Sequence, residues 1–255
     1  MLKRFLQILN QVWAVITIPI VFIVLVTPAT LLAIPFGITN RLRIVGPFWK
    51  LFGLYTVHFG CWAKVYYEDR RQTELRAYPP TGLYIANHQS FMDIPLALTQ
   101  FQIPPIMKKE VLYLPLLGLM GWAAGALVVS RRKRDSRKKV FVQAKHRLVN
   151  EKFALQYYPE GTRNRLLDEP KPFSELKVTL MHLAFEGGVP VVPVSIYGTR
   201  GVLEKSGMIN PGKKIAILTR PALFPKDYPD ANTFARACWG EVIKGHAELQ
   251  AVHGS

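Results

Sequence analysis

The chain has 255 residues, enough for one sizeable domain and an appendage, and it joins a net charge of +16 to a positive mean hydropathy. Nucleic-acid binders pair basic charge with polarity, so this composition points away from them and toward an anionic membrane surface. Cys61 and Cys238 fit neither a disulfide framework nor a zinc spacing, as expected of a reducing compartment.

No charge interrupts residues 5–40. As one helix this run would be about 54 Å long, against a hydrocarbon core of about 30 Å. Pro19, Pro28 and Pro35 argue against one straight helix. Lys3 and Arg4 on one flank match Arg41 and Arg43 on the other, which suits a hairpin that enters a membrane and returns on the same face. Residues 44–63, interrupted only by Lys50, read as an interfacial helix. The apolar run is too long for a cleaved leader, and no A-x-A site closes it. Residues 1–63 are thus expected to be a membrane-anchoring helical segment.

From Lys64 onward, short apolar runs alternate with amphipathic stretches. The pattern predicts strands at 65–67, 83–86, 105–107, 126–129, 153–158, 191–196 and 215–219, and helices at 91–99, 135–150, 174–187 and 232–250. Such alternation predicts an α/β fold over 64–255, with a largely parallel central sheet flanked by helices. Pro193, in the middle of an apolar run, marks an edge, a bulge or a strand end.

The stretch Leu83-Tyr84-Ile85-Ala86, opened by Pro80 and Gly82, ends on Asn87-His88. That puts His88 at the C-terminal end of a strand, where open α/β sheets bind ligands. A helix is expected from Ser90, and Asp93 one turn later reaches back to the imidazole. A carboxylate on one ring nitrogen sets the tautomer and frees the other nitrogen to take a proton. No Ser or Cys nucleophile stands beside it, so the proton it removes is expected to be that of a substrate hydroxyl. Backbone N–H groups at the helix start are expected to hold the oxyanion. Ser90 and Asp93 also read as a capping box, a structural account compatible with the dyad.

Lys108-Lys109-Glu110, then Pro115, Gly118 and Gly125, read either as a groove for a pantetheine arm or acyl chain or as plain core. Residues 131–139 carry seven basic side chains and one acid, a solvated face or a site for anionic headgroups or nucleotide phosphates. In Tyr158-Pro-Glu-Gly-Thr-Arg163, Gly161 permits a tight turn that brings Glu160 and Arg163 into one space. Arg163 offers a planar fork for phosphate, and Glu160 either holds that fork or bonds an acceptor hydroxyl. A local salt bridge between them is the structural alternative. His182 reads as a surface or packing residue. His58, His146, His246 and His253 lack ligand spacing, so no metal site is expected.

Together these blocks resemble the glycerolipid acyltransferases, enzymes that acylate lysophosphatidate and its relatives, over roughly residues 83–199. The first block, Asn87-His88-Gln89-Ser90-Phe91-Met92-Asp93, is similar to the family's N-H-x-x-x-x-D. The second runs from Lys109-Glu110 through Pro115, Gly118 and Gly125 to Arg131. The third is Pro159-Glu160-Gly161-Thr162-Arg163, and the fourth Val189-Pro190-Val191-Val192-Pro193. The resemblance implies His88 as base and Asp93 as its orienter, with Glu160, Gly161, Thr162 and Arg163 binding the acceptor's phosphate. Asn87, Ser90, Lys109, Arg131 and Lys177 are further substrate-binding candidates.

The resemblance implies no cofactor. It implies acyl-CoA or acyl carrier protein as co-substrate, lysophosphatidate as acceptor, membrane lipids as surroundings, and no nucleic acid. The expected location is a bacterial inner membrane or the endoplasmic reticulum, with the active site facing the cytoplasm. Asn87-His88-Gln89-Ser90 and Arg163 resemble the lysophosphatidate branch, whereas Leu176-Lys177-Val178-Thr179 lacks the glycine of the family's Phe-Lys-x-Gly segment. The reading is acyl transfer to the sn-2 hydroxyl of 1-acyl-glycerol-3-phosphate, giving phosphatidate. The alternatives are another lysophospholipid or glycerol phosphate as acceptor, or a non-catalytic basic membrane-surface binder.

Overall fold

A computed structural model of the chain describes residues 2–78, 80–103, 106–113, 118, 121, 126–130, 134–163, 169–204 and 206–254. Its first element is a long helical run. Helix α1 (Leu2–Val21) passes through Pro19, widens into a π turn (Phe22–Val26) and continues as α2 (Thr27–Ala33). The prolines therefore break the run later than expected. The Thr27 N–H bonds back to Phe22 O, and Pro28, which has no N–H to donate, follows the π turn where the ladder is already widened. The chain reverses at 34–37, around Pro35 and Gly37, and Arg41 donates to the carbonyls of Ile34 and Phe36 at 2.9 and 2.6 Å. Helix α3 (Ile38–Leu54), extended by a second π turn (Tyr55–Gly60), returns against α2 and α1.

The stretch Arg4–Ala33 is long and apolar enough to cross a membrane by length and composition. Two stripes run along it. Ala14, Phe22, Val26 and Ala33 are buried, while Val12, Ile16, Ile20 and Ile23 are each more than half exposed. The helical pair is also part of the protein's core. Leu42, Val45, Trp49 and Phe52 of α3 pack with Phe153 and with Leu98 of α4 (Asp93–Gln100). Polar contacts add to this: Gln11 Oε1 accepts from the Ile209 N–H at 2.8 Å, and Gln7 Nε2 donates to Asn210 Oδ1 at 2.5 Å.

Strands β1 (Lys64–Asp69), β2 (Leu83–Ala86), β5 (Leu155–Tyr157), β6 (Val191–Tyr197) and β7 (Lys214–Thr219) form one sheet in the order β1-β7-β6-β2-β5. The short β3 (Met107–Lys108) and β4 (Val128–Val129) pair separately. In the main sheet β1–β7, β2–β5 and β2–β6 are parallel, and β6–β7 is antiparallel. The link from β6 to β7 contains the one-turn α7 (Thr199–Val202) rather than a long crossover helix, so β7 returns antiparallel.

Strand β2 is flanked on both sides and buried along its whole length, which explains its unbroken apolar sequence. Tyr84 and Ala86 join the core with Leu96 and Ala97 of α4. Leu83 and Ile85 face α5 (Arg134–Lys145), α6 (Thr179–Glu186) and α8 (Ala231–His253) on the other side. Pro193 lies within β6, opposite a bulge in the chain that follows β7. Val191 bridges Leu223 and Val194 pairs with Thr219, so one extra residue on the β7 side accommodates the missing N–H.

Candidate active site

Because β2, β5 and β6 are mutually parallel, the segments that follow them emerge at one edge of the sheet. His88 follows β2, Tyr158 and Glu160 follow β5, and Thr199 follows β6. His88 Nδ1 lies 2.7 Å from Asp93 Oδ2. Asp93 is fully buried, and the His88 side chain keeps 17% exposure. Asp93 Oδ2 also accepts the N–H groups of Gln89 and Ser90 at 2.8 and 2.9 Å, while Oδ1 accepts from Thr199 Oγ1 at 2.6 Å. A buried carboxylate needs such donors to remain charged. With Nδ1 bonded to Asp93, Nε2 is the nitrogen available to take a proton. Tyr158 stacks on the imidazole with ring centroids 4.3 Å apart.

The helix start differs from the expected one, and several candidate residues have partners within the protein. Helix α4 begins at Asp93 rather than Ser90. Asp93 still reaches back to the Ser90 N–H, which is half of a capping box, and Ser90 Oγ accepts from the Met92 N–H at 3.4 Å while donating to Leu203 O at 3.1 Å. The Gln89 and Ser90 N–H groups are engaged by Asp93, so the expected oxyanion donors at that helix start are already taken. Asn87 acts as a brace. Its Nδ2 donates to Ile196 O and its Oδ1 accepts from Ile196 N–H, both at 2.8 Å, which continues the β2–β6 pairing through a side chain. Ser90 is likewise a tether, 2% exposed.

Glu160 lies against the His88 backbone. It is 4% exposed, its Oε1 accepts the His88 N–H at 3.1 Å, and the backbone N–H and charge of Lys171 act on the same carboxyl. Burial pushes its carboxyl from the ordinary 4.5 up to about 8, opposed by the His88 N–H and reinforced by the charge of Asp93. Arg163 turns to the His88 loop, where its guanidinium carbon stacks 3.9 Å from the ring centroid of Phe91. Gly161 has φ +67, and a side chain there would meet Lys177, whose Nζ lies 3.0 Å from the Cβ position. The turn therefore brings Lys177 beside the Glu160–Arg163 segment, with Thr162 exposed on it. Lys109 is exposed at the start of the 3-10 turn Lys109–Tyr113. Arg131, Pro115 and Gly125 lie outside the described residues.

Three contributors carry no role in the sequence reading: Thr199 on Asp93, Tyr158 on His88, and His246, whose Nε2 meets Gln89 Nε2 at 3.1 Å. Thr199 stands just past a predicted strand, so the strand-end rule that located His88 also reaches it. His246 lies on a distant helix, and no local pattern marks it.

This fold and site define an α/β protein that sets a carboxylate-oriented histidine at its strand ends. A family model described as Acyltransferase matches residues 67–197, just over half of the chain, and the chain belongs to that family. The 1-acyl-sn-glycerol-3-phosphate acyltransferase of Escherichia coli (strain K12) is 29% identical over 168 residues, 65% of this chain and 65% of the relative. The mouse 1-acyl-sn-glycerol-3-phosphate acyltransferase alpha is 28% identical over 162 residues, 60% of this chain and 55% of that protein. The chain thus spans at most about 65% of the length of these curated relatives. The crystal structure of the 1-acyl-sn-glycerophosphate (LPA) acyltransferase PlsC from Thermotoga maritima matches with a TM-score of 0.80 over 98% of both chains. At 24% identity that match is a likeness of fold.

Proposed function

We propose that this acyltransferase moves a fatty acyl group from acyl-CoA or acyl carrier protein to the sn-2 hydroxyl of 1-acyl-glycerol-3-phosphate, forming phosphatidate at a membrane. The observation that carries the reading is the 2.7 Å bond between His88 Nδ1 and the buried Asp93. His88 Nε2 takes the hydroxyl proton, and the oxygen attacks the thioester carbonyl. The C–O bond forms, the tetrahedral intermediate collapses, and the C–S bond breaks. The sulfur leaves with the proton returned by His88, so no covalent enzyme intermediate is needed. Arg163, with Lys177 across Gly161, supplies positive charge for the acceptor's phosphate. The relatives' names support this acceptor, and the exposed apolar stripe of α1 and α2 supports the membrane location.

The test is a panel of acceptors, lysophosphatidate, lysophosphatidylcholine and glycerol 3-phosphate, each offered with oleoyl-CoA and with oleoyl acyl carrier protein. Lysophosphatidate should be acylated fastest. His88→Ala should lower turnover by about two to four orders of magnitude with the fold intact. Near-normal turnover in that variant overturns the mechanism, and a preference for a zwitterionic acceptor overturns the substrate.

A further inference from the structure

We infer that His246 is a positioning residue for the catalytic loop, acting through Gln89. The inference rests on the reading of His88 as the base. The loop is tied down residue by residue: Asn87 to the Ile196 backbone, the His88 N–H to Glu160, and Ser90 Oγ to Leu203 O. Gln89 has its own tie. Its Nε2 donates across 3.1 Å to His246 Nε2, and the two residues are 4% and 2% exposed. His246 Nε2 is therefore the unprotonated ring nitrogen. The residue belongs to α8, well beyond the segment 67–197 that the family model matches.

Helix α8 delivers this imidazole rigidly. Ser195 Oγ donates to Val242 O at 2.8 Å, and Gly245 has no side chain to strike Ser195, so the 242–246 turn is pressed against β6. Tyr197 meets the His246 ring edge-on at 5.6 Å between centroids. The consequence for His88 runs through one backbone group. The Gln89 N–H is a ligand of the same Asp93 oxygen that holds His88 Nδ1. Gln89 Oε1 is already buried without a partner. Without His246, Nε2 loses its acceptor too, and a buried amide with neither group satisfied is driven toward water. As it turns outward it draws its N–H off Asp93 and loosens the base.

The experiment uses the full chain in detergent. His246→Phe keeps the ring volume without an acceptor, and His246→Gln restores one. Turnover, both KM values, Tm and hydrogen exchange of the 87–93 peptide are measured together. We expect His246→Phe to lower kcat about ten-fold, with both KM values within about two-fold, as expected of a mispositioned base. Exchange should accelerate in the 87–93 peptide and stay unchanged elsewhere. His246→Gln should recover most of both effects. Adding Gln89→Leu to His246→Phe should cost nothing further, since the two act as one unit. Wild-type turnover and exchange in His246→Phe overturn the proposal, as does a lowered Tm with exchange raised uniformly. A wild-type protein inactive on lysophosphatidate defeats the substrate reading instead, and the exchange comparison still decides the tether.

Discussion

Three side chains at the site have measurable consequences at the residue scale. Arg163 rests on Phe91, its guanidinium carbon 3.9 Å from the ring centroid, and the proposed role is to hold the acceptor's phosphate. A hydrogen bond to a charged group is worth about 1.5–3 kcal/mol, so Arg163→Ala should raise the lysophosphatidate KM roughly ten- to a hundred-fold. Arg163→Lys should recover only part, because an ammonium lacks the fork. Phe91→Leu removes an exposed cation–π contact of about 0.5–1 kcal/mol and should raise the same KM about two- to five-fold. Neither change should affect a monoacylglycerol acceptor without phosphate. An unchanged lysophosphatidate KM in Arg163→Ala would remove that residue from the binding site. Glu160 gives a pH signature. Its carboxyl is raised from 4.5 to about 8 in the folded protein, so its stabilising effect is full below 4.5 and is lost as pH rises through about 8. Glu160→Gln imitates the neutral acid at every pH. Wild type should therefore lose more Tm than Glu160→Gln between pH 5 and pH 9, and parallel curves would refute a neutral Glu160.

At the scale of elements, the turn from β6 into α7 does two things at once. Gly198 has φ +80, and a side chain there would collide with the backbone carbonyl of Lys214. The next residue, Thr199, donates to Asp93. Gly198→Ala therefore forces strain of about 1–3 kcal/mol and shifts Thr199. Tm should fall by several degrees, with kcat lowered alongside. Gly201→Ala, where a side chain meets nothing within 4 Å, is the control and should be silent. Elements of this kind were partly legible beforehand. Strand 83–86 could be read because Pro80 and Gly82 punctuate a run buried on both faces. The helix over 232–250 is readable from its period, and the strand over 215–219 from a short unbroken apolar run. His88 and Asp93 lie five positions apart and meet through local chain geometry, so the sequence shows them. Gln89–His246 spans 157 positions and His88–Glu160 spans 72, joined only by the strand order of the sheet. Strand order and the reversed direction of β7 leave no local trace. That is why the sequence does not show Glu160 supporting the His88 backbone.

At the scale of the whole molecule, one helix carries two opposed apolar faces, and they predict different outcomes. The inner stripe, with Phe22 and Val26, packs into a core shared with Trp49 of α3 and Leu98 of α4. The outer stripe, with Val12, Ile16, Ile20 and Ile23, touches little of the protein and has the composition of a membrane-facing surface. Burying each such side chain in hydrocarbon is worth about 1.5–3 kcal/mol. A chain carrying Val12→Ser, Ile16→Ser and Ile20→Ser together should partition onto phospholipid vesicles more than a hundred-fold more weakly. Its Tm in detergent should hardly change, because no core contact is lost. Trp49→Ala should do the reverse, costing about 3–5 kcal/mol of stability while leaving the outer stripe intact. Deleting the helical pair cannot separate the two effects, since it also strips the core from α4. Salt discriminates what remains. Attraction through the basic residues of 131–139 fades as ionic strength rises, whereas insertion of apolar side chains does not. Cosedimentation of the triple variant at wild-type levels in high salt would show that the outer stripe does not meet the membrane.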